Sequence, residues 1–315
     1  MGCMPREKGK GDWSLQKVNE LLRNARPLVL KRMHARARVL GACCAATIAA
    51  LAACEGTARY PVSAGIGPTP TLPPPDRALF PAVEIAEAKR WPSGGKPLAA
   101  TATVVSAFAT GLDHPRWLYV LPNGDVLVAE TNAPPNRDNR PGIKGWFFKY
   151  FQKKAGGAVP SANRITLLRD GDGDGVAETR SVFLDSLASP FGMALVGNDF
   201  YVANTDAVVR FPYMNGETQI AATGTQVVAL PGGRINHHWT KGLVASSDGS
   251  KLYVSVGSNS NVGERGMTNE EGRAAIWEID PKSGSHRIFA SGLRNPVGMA
   301  WEPETGALWV AVNER

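Results

Sequence analysis

Cysteine is scarce in this chain of 315 residues: only four are present, and all of them lie within the first 54 positions. No cysteine pair is therefore available for a disulfide in the rest of the chain. The sequence also lacks a P-loop, a GxSxG nucleophile elbow and a Rossmann fingerprint, so nucleotide cofactors are unsupported. The apolar run at residues 39–53 has 15 residues, which is too short for the roughly 20 that a membrane-spanning helix needs.

The net charge of +7 is confined to the amino-terminal region. Residues 1–40 contain ten Lys and Arg against three Asp and Glu, whereas the other 275 residues contain 25 of each kind. A basic protein often binds nucleic acid. Here the positive charge precedes a segment that looks like a targeting signal, so we expect no nucleic-acid partner.

Residues 33–54, MHARARVLGACCAATIAALAAC, have the pattern of a secretory signal. Arg36 and Arg38 precede the apolar run, whose length suits a signal-peptide core. The segment ends in LAAC, which resembles the lipobox of bacterial lipoproteins. We therefore predict a lipoprotein signal peptide over 33–54, lipid on Cys54, and a position in the bacterial cell envelope facing the periplasm. Residues 1–32 form an extension of uncertain role. The alternative is a soluble protein with an apolar amino-terminal helix.

A proline-rich stretch follows the signal and includes YPVSAGIGPTPTLPPPDRALFP, residues 60–81. Dense proline fixes φ and removes amide donors, which disfavours both helix and sheet. Residues 55–100 are therefore predicted to be an extended tether, and the folded domain is predicted to occupy residues 101–315.

A pattern of paired short strands recurs through that domain. Each repeat has a small lead-in, an apolar strand, a turn containing glycine and a second strand ending near valine. Four such repeats begin at Gly111, Ser186, Asn236 and Gly292. Further strands lie between these hairpins, so each unit has about four strands. Four strands per unit at a period of about 50 residues is typical of a β-propeller. We predict an all-β propeller with about four blades, and a short amphipathic helix at residues 144–157.

The lead-ins also predict a site. The third position of each repeat, directly after a leucine in three of the four, is Asp113, Ala188, His238 or Arg294. Because the innermost strand of every blade begins beside the channel, polar residues at this position converge on the axis. His237 occupies the slot that is leucine in the other repeats, so a structural role is expected for it. Lys241 and Arg116 are expected at the surface first and on the axis second.

The sequence resembles the sorbosone dehydrogenase family. The resemblance rests on GLDHPRWLYVLPNGDVLVAETNAPP, SANRITLLRDGDGDGVAETR, SPFGMALVGNDFYVANTDAVVRFPY, INHHWTKGLVAS and GLRNPVGMAWEPETGALW, and covers residues 57–315. Members are relatives of the soluble quinoprotein glucose dehydrogenases, six-bladed propellers that use pyrroloquinoline quinone (PQQ) and calcium. The resemblance implies a sugar or aldehyde substrate and a respiratory electron acceptor.

The resemblance also implies roles for individual residues. His238 matches the base that takes the proton of the substrate hydroxyl, and Arg294 matches the arginine that stabilises negative charge on the quinone. Asn295, Ser258 and Asn259 are the further candidates for cofactor contact. Ser258 stands where the relatives have an aspartate that orients the histidine. The chain ends within the fourth blade, so we expect a fragment that lacks further cofactor-binding Lys and Arg.

Two alternatives remain at this point. The acidic run at residues 170–175 has Asp170, Asp172 and Asp174 at alternating positions, as calcium loops do, but a plain turn between strands prefers the same residues. The function could also be that of a non-catalytic propeller that binds a carbohydrate or protein. A calcium-dependent lactonase is a third possibility, for which the candidate ligands are Asp113, Asn204 and Glu130.

Overall fold

A computed structural model describes residues 60–67, 69–71, 86–89, 91–92, 94–134, 142–157, 159–233 and 235–314. The predicted extension at 1–32 and the signal peptide with Cys54 lie outside these residues. The chain divides into two compact units, residues 1–85 and 86–315. In the first unit the described residues include a short 3-10 helix, Val62–Gly65, within the predicted proline-rich tether.

The second unit contains four antiparallel sheets that follow one another along the chain. Blade 1 consists of β1 Pro115–Val120, β2 Val126–Glu130, β3 Arg164–Arg169 and β4 Thr179–Leu184. Blade 2 consists of β5 Gly192–Val196, β6 Asp199–Ala203, β7 Ala207–Pro212 and β8 Thr225–Ala229. Blade 3 consists of β9 Leu243–Ala245, β10 Leu252–Val256, β11 Ala275–Ile279 and β12 His286–Ser291. Blade 4 has two strands, β13 Pro296–Trp301 and β14 Leu308–Val312.

Glycine closes the inner hairpin of every blade. Gly124, Gly197, Gly249 and Gly306 stand between the first and second strands of blades 1 to 4, and all four have φ between 59° and 91°. A residue with a Cβ is strained in this left-handed region, whereas glycine is not. The turn signals that predict the hairpins from sequence therefore have a conformational cause, because each tight reversal needs a positive φ.

The sheets are arranged as the blades of a propeller. Within each sheet the strands pair in sequence order, and the first strand of each blade lies beside the first strand of the next. Apolar side chains fill the spaces between adjacent blades: Phe183 and Phe200 between blades 1 and 2, Val208 and Val254 between blades 2 and 3, and Met299 between blades 3 and 4. The predicted β-propeller is thus confirmed, as an arc of blades that does not close.

One helix accompanies the blades among the described residues of this unit, apart from a 3-10 turn at Met267–Glu270. Helix α1, Gly142–Lys154, lies between the second and third strands of blade 1, near the predicted position. Its 13 residues correspond to about 20 Å. In the part of the chain that is described, no helix is long and apolar enough to cross a membrane.

Candidate active site at the propeller axis

His238 stands at the start of blade 3 and is held by Ser258, which follows the second strand of the same blade. The Nδ1 atom of His238 lies 2.8 Å from the Ser258 carbonyl oxygen and 3.1 Å from the Ser258 hydroxyl oxygen. That hydroxyl donates to the Ser260 carbonyl at 2.6 Å, which leaves its oxygen as an acceptor. Two acceptors therefore face Nδ1, so the proton of the neutral imidazole resides on Nδ1 and Nε2 carries the lone pair.

The same serine connects His238 to blade 4. The Ser258 amide donates to the Arg294 carbonyl at 2.8 Å. Three residues that sequence places on one axial site are thus joined by direct hydrogen bonds. His237 is also half-buried, and its ring meets that of His238 edge to face at 4.9 Å between centroids.

Gly257 explains why the chain can approach His238 so closely. A Cβ added at this position would lie 2.5 Å from the His238 Cβ and 2.6 Å from the Asn295 Oδ1. Only glycine therefore fits between these two side chains. Asn295 itself is buried, and its Oδ1 has no hydrogen-bond partner. Because a buried amide oxygen without a donor is costly, this atom is suited to receive a hydrogen bond from a ligand.

The Arg294 guanidinium is held by neutral oxygens alone. Its Nε and Nη2 donate to the carbonyl and the side-chain oxygen of Asn261, at 3.0 and 2.6 Å, and its Nη1 donates to the Asn313 carbonyl at 2.9 Å. Among the described residues no carboxylate forms an ion pair with this guanidinium. The side chain is therefore fixed in position by neutral groups, while the Glu314 carboxylate accepts from the Arg294 backbone amide at 3.2 Å.

Asn259 differs from the other candidates because its side chain belongs to the loop after β10. The Asn259 Nδ2 donates to the Asn269 carbonyl at 3.0 Å, and the Asn259 backbone N–H donates to the Glu270 carboxylate at 2.7 Å. Its Oδ1 is buried without a partner, as in Asn295. The structure thus places Asn259 next to the site in sequence but ties its amide group to the loop.

Lys241 is not at the surface, contrary to the first expectation for it. It is fully buried, and its Nζ donates to the Trp239 carbonyl at 3.1 Å. Burial, together with the nearby charge of Arg273, lowers the pKa of Lys241 to about 7, although Asp206 acts in the opposite direction. The sequence around Lys241 gives no sign of this burial, because the residues that cover its side chain come from other parts of the chain.

Arg116 occupies in blade 1 the repeat position that Lys241 occupies in blade 3. Its guanidinium carbon lies 5.8 Å from the centroid of the Trp239 ring, which belongs to the blade 3 lead-in. Desolvation lowers the pKa of Arg116. Arg116 is exposed, as first expected for it, and its side chain also reaches the blade 3 lead-in across the arc.

A buried polar network supports the loop that carries Gly257. Arg273 is 6% exposed and donates from Nη1 to Asn236 Oδ1 at 3.1 Å and to the Gly257 carbonyl at 3.3 Å. Asn236 in turn donates to Thr205 Oγ1 at 2.8 Å. Sequence reasoning missed Arg273, since it lies on a turn before β11, far along the chain from His238. No local signal marks it.

Two of the three residues considered for a lactonase, Glu130 and Asp113, belong to an ion-pair network, whereas Asn204 Oδ1 is buried without a partner. Glu130 is fully buried, receives hydrogen bonds from Arg164 at 3.0 and 2.9 Å, and also accepts from Thr166 and the Asp113 amide. Burial alone would raise the pKa of Glu130, but these bonds hold it below the usual value. Asp113 pairs with the same arginine at 2.7 Å. The pair of carboxylates thus stabilises blade 1 as an ion-pair network.

The acidic loop lies between β3 and β4, away from His238. Asp170, Asp172 and Asp174, joined by Glu178, place one oxygen each within 4.8 Å of the others, and three of the four are exposed. Each carboxylate also accepts a backbone amide of the loop, for example Gly173 to Asp170 at 2.6 Å. These bonds are those of a turn in which aspartate side chains cap the backbone.

One cavity of about 560 Å³ lies away from the axis, between the outer part of blade 1 and blade 2, and is lined by Phe183, Asn204 and Phe211 among others. None of its lining residues is a histidine, lysine or arginine. We therefore assign the candidate site from the convergence of charged and hydrogen-bonding groups around His238, not from cavity size.

Comparison with known proteins supports this fold. A family model described as TrAA12-like matches residues 161–315, slightly less than half of the chain. An iodide structure of the Trichoderma reesei Carbohydrate-Active Enzymes Family AA12 is 21% identical over 69% of this chain and 50% of its own, with a TM-score of 0.52. No curated protein matches the sequence.

Two other solved structures are similar at lower scores. The holo form of the pyranose dehydrogenase PQQ domain from Coprinopsis cinerea is 20% identical, covering 66% of this chain and 45% of its own, with a TM-score of 0.49. The PQQ-bound aldose sugar dehydrogenase from Streptomyces coelicolor is 19% identical, covering 66% and 59%, with a TM-score of 0.45. The chain spans about half the length of these structures, and at such identities the likeness shows the fold alone.

Proposed function

We propose that this chain is the quinone-binding part of a PQQ-dependent sugar or aldehyde dehydrogenase. The observation that carries the proposal is the arrangement of Ser258, which holds the His238 ring through Nδ1 and bonds the backbone of Arg294. A general base and a fixed cation are thereby joined on the axis of a propeller. The TrAA12-like match covers all of these residues.

The residues present fit the chemistry of PQQ. This cofactor is a planar quinone with three carboxylates, so it calls for cations, an apolar or aromatic surface and directed hydrogen bonds. Arg294 and Arg116 supply positive charge, and the ring of Trp239 lies beneath Arg116. Asn295 offers a buried amide whose Oδ1 lacks a donor. When bound, PQQ accepts the two electrons that leave the substrate as hydride.

His238 is the residue that moves the proton. With Nδ1 held by Ser258, we assign Nε2 as the atom that accepts the proton of a substrate hydroxyl. Histidine is the side chain whose chemistry suits proton abstraction near neutrality. A neutral hydroxyl and a carbonyl orient the ring less strongly than a carboxylate would, so this base is weaker than in relatives that keep the aspartate.

Arg294 supplies fixed positive charge where negative charge develops. Because Asn261 and Asn313 hold the guanidinium in advance, no reorganisation is needed during the reaction, and such preorganised charge lowers barriers strongly. The role of these two asparagines is to position Arg294, since they donate no charge of their own.

Cofactor binding gives a direct test of the assignment of Arg294. Adding PQQ with calcium to the chain is expected to quench tryptophan fluorescence in a saturable manner, and Arg294→Gln is expected to weaken binding by roughly ten- to a hundredfold, the value of a lost charge-assisted contact. Arg287→Gln, on the outer strand β12, is the matched control and should leave the affinity unchanged. Equal affinities of the wild type and Arg294→Gln would refute the assignment. Chelation of calcium in the same titration shows whether the Asp170 loop contributes.

The axial arrangement also bears on the other functional classes. A non-catalytic propeller would bind a carbohydrate or protein at the same face. It would not need a histidine whose ring is oriented by two hydrogen-bond acceptors. For the lactonase alternative, two of the three candidate ligands, Glu130 and Asp113, are already paired with Arg164. Substrate-dependent reduction of an artificial electron acceptor by the PQQ-loaded chain separates a dehydrogenase from a binding module.

The envelope location rests on the LAAC sequence that ends at Cys54. We propose that Cys54 carries lipid and that the chain faces the periplasm, where a respiratory acceptor takes the electrons. Mass spectrometry of the membrane fraction should find a diacylglyceryl-modified peptide beginning at Cys54. A Cys54→Ala variant should stay unprocessed; processing of this variant at the same bond would contradict the proposal.

A further inference from the structure

Helix α1 presents aromatic side chains to solvent, which is unusual for a surface helix. Trp146 and Tyr150 are 63% and 53% exposed, and Phe147 is 46% exposed. We call these three residues the aromatic ridge. The rings of Trp146 and Tyr150 stack at 6.0 Å with an interplanar angle of 15°, because residues four apart lie on the same side of a helix. A contiguous exposed aromatic surface of this kind marks an interaction site.

Lysines border the aromatic ridge. Lys149 and Lys153 follow Trp146 and Tyr150 by three positions, Lys154 follows Tyr150 by four, and all three lysines are exposed. The helix contains four lysines and no Asp or Glu. The exposed face therefore combines aromatic rings with unopposed positive charge. Helices with aromatic residues and lysines on one surface lie in the plane of a membrane interface, where the rings enter the headgroup region and the lysines meet anionic lipids.

The helix is attached to the propeller at its carboxyl-terminal end. The Lys154 carbonyl accepts from the Ala88 amide at 3.1 Å. Just beyond the helix, the Asn132 side chain donates to the carbonyls of Gly157 and Val159 at 2.9 and 2.6 Å. Phe151 is half-buried, and its ring stacks on that of Phe147, one helical turn earlier, at 6.5 Å between centroids. The two Asn132 bonds tie the chain just after α1 to the end of β2 in blade 1.

We propose that the exposed face of α1 docks on an anionic membrane surface. Charge complementarity decides between this partner and a neutral sugar. A sugar platform needs amide or carboxylate groups beside its rings to bind hydroxyl groups, whereas this face offers only ammonium groups. At about 20 Å the helix is too short to span the roughly 30 Å hydrocarbon core, which leaves a position along the interface. The proposal does not depend on lipid at Cys54 or on the dehydrogenase assignment.

A local probe tests the proposal in the full chain. All four cysteines lie at or before Cys54, so replacing them with serine gives a background in which Phe147→Cys can be labelled alone with an environment-sensitive fluorophore. The label at 147 is expected to shift to the blue with phosphatidylcholine vesicles that contain phosphatidylglycerol, and not with phosphatidylcholine alone. A label at Met214→Cys, also highly exposed but on blade 2, should not respond to either.

The lysines provide the decisive comparison. Lys149→Glu, Lys153→Glu and Lys154→Glu together are expected to weaken the partition reported at 147 by about tenfold or more, with the circular dichroism spectrum unchanged. The probe reads only its own surroundings, so vesicle binding through the apolar segment 39–53 does not affect the result. The proposal is overturned by a label at 147 that ignores anionic vesicles, that responds equally to neutral ones, or that responds instead to a soluble oligosaccharide.

Discussion

His238→Ala is expected to lower kcat of the PQQ-loaded protein by roughly 10²- to 10⁴-fold, the usual contribution of a positioned general base. The reason is geometric. The His238 ring is oriented by two acceptors of Ser258 at 2.8 and 3.1 Å, which directs the basic Nε2 outward from that contact. Alanine removes the imidazole whose ring Ser258 orients, and the neighbouring His237 and Lys241 stand at other repeat positions.

The neighbouring histidine is the matched control for this experiment. His237 shares its repeat position with Leu112, Leu187 and Leu293, so His237→Ala is expected to act mainly on the free energy of unfolding, with kcat within a few fold of the wild type. Steady-state kinetics with an artificial electron acceptor, together with thermal unfolding, measures both effects. Equal losses of kcat in the two variants would show that the alignment of the repeats is shifted by one residue.

Lys241→Met is expected to stabilise the protein near neutral pH by roughly 3 kcal/mol, since a depressed lysine pKa is a cost of folding. Its pKa falls from 10.5 in the unfolded chain to about 7 in the folded one. Between these values the unfolded chain binds a proton that the folded chain does not, so stability rises with pH across this window and is lost as the pH falls from 10.5 towards 7. Methionine removes that dependence.

The substitution leaves no new unsatisfied group, because the Trp239 carbonyl that accepts from Lys241 also accepts from Thr205 Oγ1 at 3.1 Å. Urea unfolding at several values between pH 6 and pH 9 gives the free energies. Lys282→Met, at an exposed position of blade 3, should retain the slope of the wild type. A Lys241→Met protein that is less stable at pH 7, or that keeps the slope, would show that the ammonium group is stabilised in the fold.

Much of the fold follows from local sequence, because hairpin turns and strand alternation are local properties. The glycines at 124, 197, 249 and 306 each mark a reversal that requires positive φ, and the apolar strands on both sides mark the blades. The repeat register then relates positions that are distant in the chain. This relation is why His238 and Arg294 could be proposed together before their contacts were known, whereas Ser258 entered only through the family resemblance.

The rest of the site depends on contacts that a repeat does not encode. Lys241 follows a polar stretch, and nothing near it in sequence shows that its side chain is fully buried. Arg116 reaches Trp239 across the arc, and Asn261 clamps Arg294 from an irregular loop. Such residues are fixed by tertiary packing, which overrides local propensity and has no period. Their roles were therefore visible only in three dimensions.

A crystal structure of the chain soaked with PQQ and calcium tests the central claim most directly. The account predicts the cofactor on the propeller axis, with an oxygen within hydrogen-bond distance of the Arg294 guanidinium, the Asn295 amide engaged, and His238 Nε2 facing the space beside the quinone. PQQ bound elsewhere on the chain, or an axis in which Arg294 and His238 contact no cofactor at saturating PQQ, would contradict it.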